Sequence, residues 1–126
     1  MRFRTLVSTA ALALAALHVQ ALELRPFSNE ALAQAQAKNQ PVAVHFHADW
    51  CPTCRAQEKV LQSFQSDKAL DLTVLVANYD TEKELKKHMK VRAQSTLVVL
   101  RGAKETARIV GDTEAGALRQ ALQSAL

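Results

Sequence analysis

The apolar and polar positions of this chain switch between a helical and a strand-like period, and the switches mark its elements. Ser28 is a cap-type residue before an alanine- and glutamine-rich helical stretch from Asn29 to Lys38, which Asn39 and Pro41 close. Pro41-Val42-Ala43-Val44-His45-Phe46-His47 is apolar and rich in β-branched residues, with the length of a buried central strand. Pro52 suits the first position of a second helix, in which Ala56, Val60, Leu61 and Phe64 recur at helical spacing until a break near Ser66-Asp67. Leu72 to Asn78 is another strand-like run, followed by Asp80 and Thr81 as caps of a short charged helix ending near Lys90. Thr96 to Leu100 and Thr106 to Val110 are two short strands around Arg101-Gly102-Ala103-Lys104, a hairpin connection. Gly111 ends the last strand, and Asp112 or Thr113 caps a final amphipathic helix carrying Leu118, Leu122 and Leu126. The order is α-β-α-β-α-β-β-α, without repeats, linkers or low-complexity stretches.

The N-terminus follows a different pattern. Arg2 and Arg4 precede an apolar stretch from Thr5 to Leu17, and Val19-Gln20-Ala21 places small residues at −3 and −1 of a cleavage site. Residues 1–21 are expected to be a secretory signal peptide and residues 22–126 a single domain, soluble and monomeric once released into the periplasm. Thirteen apolar residues fall short of the ~20 that cross a bilayer. Removing Arg2 and Arg4 from the 16 basic residues leaves 14 against 12 acids, an ordinary balance for a soluble domain. The one basic cluster, Lys83, Lys86, Lys87 and Lys90, is interleaved with Glu82 and Glu84, so it reads as a solvated helix face and not as a nucleic-acid surface.

The chemistry concentrates in one segment. Cys51 and Cys54, the only cysteines, stand three positions apart between the first long strand and the helix opened by Pro52. Unpaired N–H groups and the macrodipole at a helix start favour a thiolate, so Cys51 is the candidate nucleophile, with Cys54 one turn further in. Spacing alone also allows a zinc half-site, but zinc takes four ligands, and His18, His45, His47 and His88 are the only histidines to complete one. A disulfide between residues this close stabilises a fold little, so the pair points to exchange chemistry.

This element order, with Phe46-His47-Ala48-Asp49-Trp50-Cys51-Pro52-Thr53-Cys54 after a strand, resembles the thioredoxin family from about Pro41 onward. Val91 to Leu97, Gly102 and Gly111 look like that family's second active-site loop, hairpin turn and late glycine. The resemblance implies an α/β fold with a central mixed sheet of about four strands flanked by helices. It also implies that Cys51 attacks a substrate disulfide, that Cys54 resolves the mixed disulfide, and that Trp50 packs beside the site. No cofactor is implied beyond the dithiol. Pro52 and Thr53, the residues between the cysteines, match neither the Gly-Pro of cytoplasmic thioredoxins nor the Pro-His of strong periplasmic oxidases, so they leave the direction of electron flow open.

Two positions depart from the family pattern. Ser95 stands where thioredoxins place a cis-proline, and a cis bond before a non-proline costs ~2.5–4 kcal/mol, so the fold either enforces it or the bond is trans and the groove is reshaped. Ser95 is a candidate donor to a cysteine sulfur, or a loop serine bonding its own backbone. His45 stands where the family keeps a buried acid, and is a candidate proton acceptor near the resolving cysteine or a packed strand histidine.

These readings converge on an exported thiol–disulfide oxidoreductase that reduces or relays electrons to cysteine-containing exported proteins, re-reduced by a membrane thiol donor. The alternatives are a disulfide oxidase or isomerase, and a copper module holding Cu(I) on Cys51 and Cys54 with His45 or His47, which lacks a methionine or histidine cluster to support it.

Overall fold

The computed structural model describes residues 21–126, and the proposed signal peptide, but for Ala21, lies outside them. The elements are β1 (Glu23–Pro26), α1 (Asn29–Ala37), β2 (Pro41–His47), α2 (Pro52–Ser63), β3 (Thr73–Asn78), α3 (Lys83–Met89), β4 (Thr96–Arg101), β5 (Lys104–Val110) and α4 (Ala115–Gln123). They form one mixed sheet in the order β1-β3-β2-β4-β5. β1 and β2 run parallel to β3, while β4 runs antiparallel to both β2 and β5.

The sheet has five strands instead of about four. The added strand, β1, is a four-residue edge whose only large apolar residue is Leu24, so it offers no periodic signal; pairing with β3 holds it in place. Pro26 sits at its end, where a missing N–H costs no ladder bond.

Side chains alternate across each strand, and the two faces receive different helices. On one face Val42, Val44, Phe46, Leu75, Val98 and Leu100 pack with Leu32 of α1 and Leu85 of α3. On the other, Ala43, Val74, Leu97 and Val99 pack with Leu61 and Phe64 at the end of α2 and Leu118 and Leu122 of α4. Phe46, Leu61, Leu97 and Leu118 are fully buried, each contributing on the order of 1.5–3 kcal/mol. His45, one step from Phe46, therefore faces α2.

Local chemistry moves two helix starts from where the sequence placed them. Asn78 Oδ1 accepts from the N–H groups of Asp80 and Thr81, closing a turn that delays α3 to Lys83. Asp112 Oδ1 accepts from Glu114 N–H, and α4 begins at Ala115. At the β4–β5 turn Gly102 has φ +58, and a Cβ there would meet Asn39 Oδ1 at 2.5 Å, so a larger residue would strain the backbone and displace the Asn39 side chain. Among the described residues no helix is long and apolar enough to cross a membrane.

Candidate active site

Three segments meet at the C-terminal end of β2: the start of α2, the loop before β4, and the β5–α4 connection. Ser28 caps α1 in the ordinary way, with its hydroxyl accepting from Ala31 N–H at 3.1 Å. At α2 the capping atom is a sulfur. Cys51 is the N-cap, and its Sγ accepts the Cys54 N–H at 3.1 Å. Pro52 follows at the first helical position, where a missing N–H costs nothing. A negative charge on this sulfur would face unpaired N–H groups and the positive end of the helix dipole.

Ser95 approaches from the other side. Its Oγ lies 3.2 Å from Cys51 Sγ and 3.0 Å from Cys54 Sγ. A hydroxyl has one proton, so it donates to one sulfur at a time. No cis peptide bond occurs among the described residues, so the Gln94–Ser95 bond is trans, with Ser95 at φ +61. That left-handed conformation costs roughly 1–2 kcal/mol for a residue with a Cβ. Backbone bonds offset it: Ser95 N–H donates to Phe46 O at 3.0 Å, and Ser95 O accepts from Gly111 N–H at 3.0 Å.

The two sulfurs are unlike. Both are buried in the dithiol form, Cys51 at 2 % exposure and Cys54 at 0 %. Burial opposes ionisation at Cys51, but hydrogen bonds from the Cys54 thiol, the Ser95 hydroxyl and the N–H groups of Cys54 and Thr53 outweigh it and lower the pKa. At Cys54, burial and the neighbouring Cys51 raise it. Cys51 is thus the sulfur that ionises first.

His45 is wholly buried, and its Nε2 lies 2.9 Å from Gln57 Oε1. Its Nδ1 has no partner among the described residues. Burial, reinforced by His47 and only partly offset by Gln57, lowers its pKa to about 4. With its pKa lowered this far, His45 is a neutral hydrogen-bonding group in the resting dithiol form. It is not a fully satisfied strand histidine.

The remaining candidates lie toward the surface. Trp50 is exposed, and its indole N–H donates to Asp80 Oδ2 at 2.8 Å, tying the turn before Cys51 to the end of β3. Thr53 is half-buried at the second helical position. His47 Nε2 lies 3.1 Å from Asp49 Oδ1, and Arg55 donates to Asp49 O at 2.6 Å. A cleft of about 330 Å³ lined by His47, Asp49, Trp50 and Asp80 opens at this turn. Among the described residues no cluster of three or more His, Cys, Asp or Glu side chains could hold a metal.

Sequence reasoning missed Gln57. It placed Ala56 on the inward face, yet Ala56 is exposed and Gln57 is buried. The signal was present in the 3-4-3 spacing of Cys54, Gln57, Leu61 and Phe64, obscured by the polar residue within it.

Comparison with known proteins agrees with this geometry. The family model described as Thioredoxin matches residues 22–124. The thioredoxin of Mycobacterium tuberculosis is 34 % identical over 86 residues, covering 68 % of this chain and 74 % of the relative. Among solved structures, Trxlp from Edwardsiella tarda is 40 % identical with a TM-score of 0.75, over 79 % of this chain and 98 % of that one. Thioredoxin O2 from Arabidopsis thaliana is 25 % identical with a TM-score of 0.67, over 81 % and 91 %. A dithiol at a helix N-cap, on this sheet and with these relatives, places the chain in the thioredoxin family, thiol–disulfide oxidoreductases that act on cysteine-containing proteins through the dithiol itself.

Proposed function

We propose that this protein is an exported thioredoxin that reduces, or relays electrons to, cysteine-containing exported proteins. Cys51 is the attacking sulfur and Cys54 the resolving one. The Cys51 thiolate attacks one sulfur of a substrate disulfide, and the other leaves as a thiolate. Cys54 then attacks Cys51, expelling the second substrate sulfur. Two electrons and two protons pass to the substrate, and the protein is left with a Cys51–Cys54 disulfide. Trp50, Pro52 and Thr53 shape the approach to Cys51. In an oxidising periplasm a membrane thiol donor restores the dithiol. The signal-like pattern of residues 1–21 supports export.

The observation that supports the reducing direction is the likeness of the chain to thioredoxins in sequence and structure. The Ser95 contact favours the oxidase or isomerase reading, since a donor to the Cys51 thiolate stabilises the reduced form. Equilibration in thiol redox buffers decides between them: a potential near about −270 mV supports the reductant, and one near about −120 mV overturns it. A copper module would retain stoichiometric Cu(I) through Cys51 and show no disulfide reductase activity.

Ser95→Ala isolates the hydroxyl. Losing a hydrogen bond to a charged sulfur costs about 1.5 kcal/mol, so alkylation of Cys51 at neutral pH should slow about tenfold, and the potential should fall by about 30 mV. Unchanged alkylation in the folded variant would show that Ser95 bonds only within its loop.

A further inference from the structure

We propose that Gln57 is a positioning residue for the thiol chemistry, clamping Ser95 across both sulfurs while fixing the tautomer of His45. Gln57 is fully buried on α2, and each polar atom of its amide is engaged. Its Nε2 lies 3.1 Å from Ser95 O and 2.9 Å from Asp112 O. Carbonyl oxygens only accept, so the amide nitrogen must face them, and both its protons are committed. Oε1 is then left toward His45, where it can only accept. His45 must therefore carry its proton on Nε2, 2.9 Å away, leaving Nδ1 bare in the interior.

One side chain thus joins α2, which carries both cysteines, to the loop before β4 and to the β5–α4 connection. The Ser95 end of this clamp determines where the hydroxyl lies. Ser95 O receives two donors, Gly111 N–H and Gln57 Nε2, and Ser95 N–H is held by Phe46 O. These three bonds hold a residue at φ +61 whose Oγ lies within 3.2 Å of both sulfurs. Without the Gln57 donor, the Ser95 carbonyl keeps only Gly111, and the hydroxyl loses part of its fixed position between the sulfurs. A glutamine with its Oε1 on a neutral histidine does this without placing a charge beside the thiolate.

The proposal rests on the reading of Ser95 as a donor to Cys51, and a double-mutant cycle separates the two. Gln57→Met keeps the length and apolar bulk of the side chain but removes the amide. In the purified protein at neutral pH, Gln57→Met should slow alkylation of Cys51 about threefold, and add nothing when Ser95 is already alanine. Equal slowing in both backgrounds, or none in either, overturns the Gln57 proposal while leaving Ser95 in place. If Ser95→Ala alone has no effect, both fall. A measurement on the unaltered protein stands independently of variant folding: nitrogen-15 NMR should find His45 protonated at Nε2, and protonation at Nδ1 overturns the clamp.

Discussion

Cys51→Ser should abolish disulfide exchange, reducing turnover of a protein disulfide to the rate in its absence. A serine hydroxyl is not ionised near neutral pH, whereas a thiol is already a few per cent thiolate before any activation. Cys51 also has activators that a hydroxyl cannot use to the same extent: the Cys54 N–H at 3.1 Å and the Ser95 hydroxyl at 3.2 Å. The fold should survive, because the serine oxygen can cap α2 as the sulfur does. Far-ultraviolet circular dichroism should therefore match the parent while activity, followed by insulin reduction with dithiothreitol, is lost. Retained turnover would move the chemistry away from Cys51.

Acidification should destabilise the fold by up to about 3 kcal/mol between pH 6.5 and 4, through His45 alone. Its folded pKa, about 4, lies below the unfolded value of 6.5, so the unfolded chain binds a proton in this window that the folded chain refuses. Stability is flat above pH 6.5, falls by about 1.4 kcal/mol per pH unit below it, and levels off below about 4. For a domain of ordinary stability, 5–15 kcal/mol, that is a large fraction. Asp67 and Glu105, whose carboxyls are held down by Arg119 and Arg108, begin to lose their contributions only near their unfolded values of 3.8 and 4.5, so histidine dominates all but the acid edge of the window. Urea unfolding at a series of pH values should show the slope in the parent and a flattened one in His45→Gln. Parallel slopes would mean that His45 takes up its proton in the folded state.

Strong local signals made most of the fold legible. β2, β4 and α2 bury long apolar runs or a helical stripe, and Ser28, Pro52, Gly102 and Gly111 act through their own backbone chemistry. β1 was illegible because its place depends on pairing with β3 rather than on any pattern within Glu23–Pro26. The start of α3 moved because Asn78, outside the helix, binds the N–H groups that Asp80 and Thr81 were expected to lead into it. At the site, the spacing of Cys51 and Cys54 and the replacement at Ser95 could be read directly. The network behind them could not, because Gln57 joins segments 38 and 55 residues away, and only tertiary contact reveals such partners. The same contact decides His45, whose charge state depends on burial that the sequence position leaves open.

The central claim is that Cys51 attacks and Cys54 resolves. Its most direct test is to incubate reduced Cys54→Ser protein with insulin, quench with acid, and map the mixed disulfide by peptide mass spectrometry. An adduct linking Cys51 to an insulin cysteine, absent when Cys51 is also replaced by serine, is the predicted result. A folded Cys54→Ser protein that forms no adduct, with its Cys51 thiol free at the end, would contradict the account.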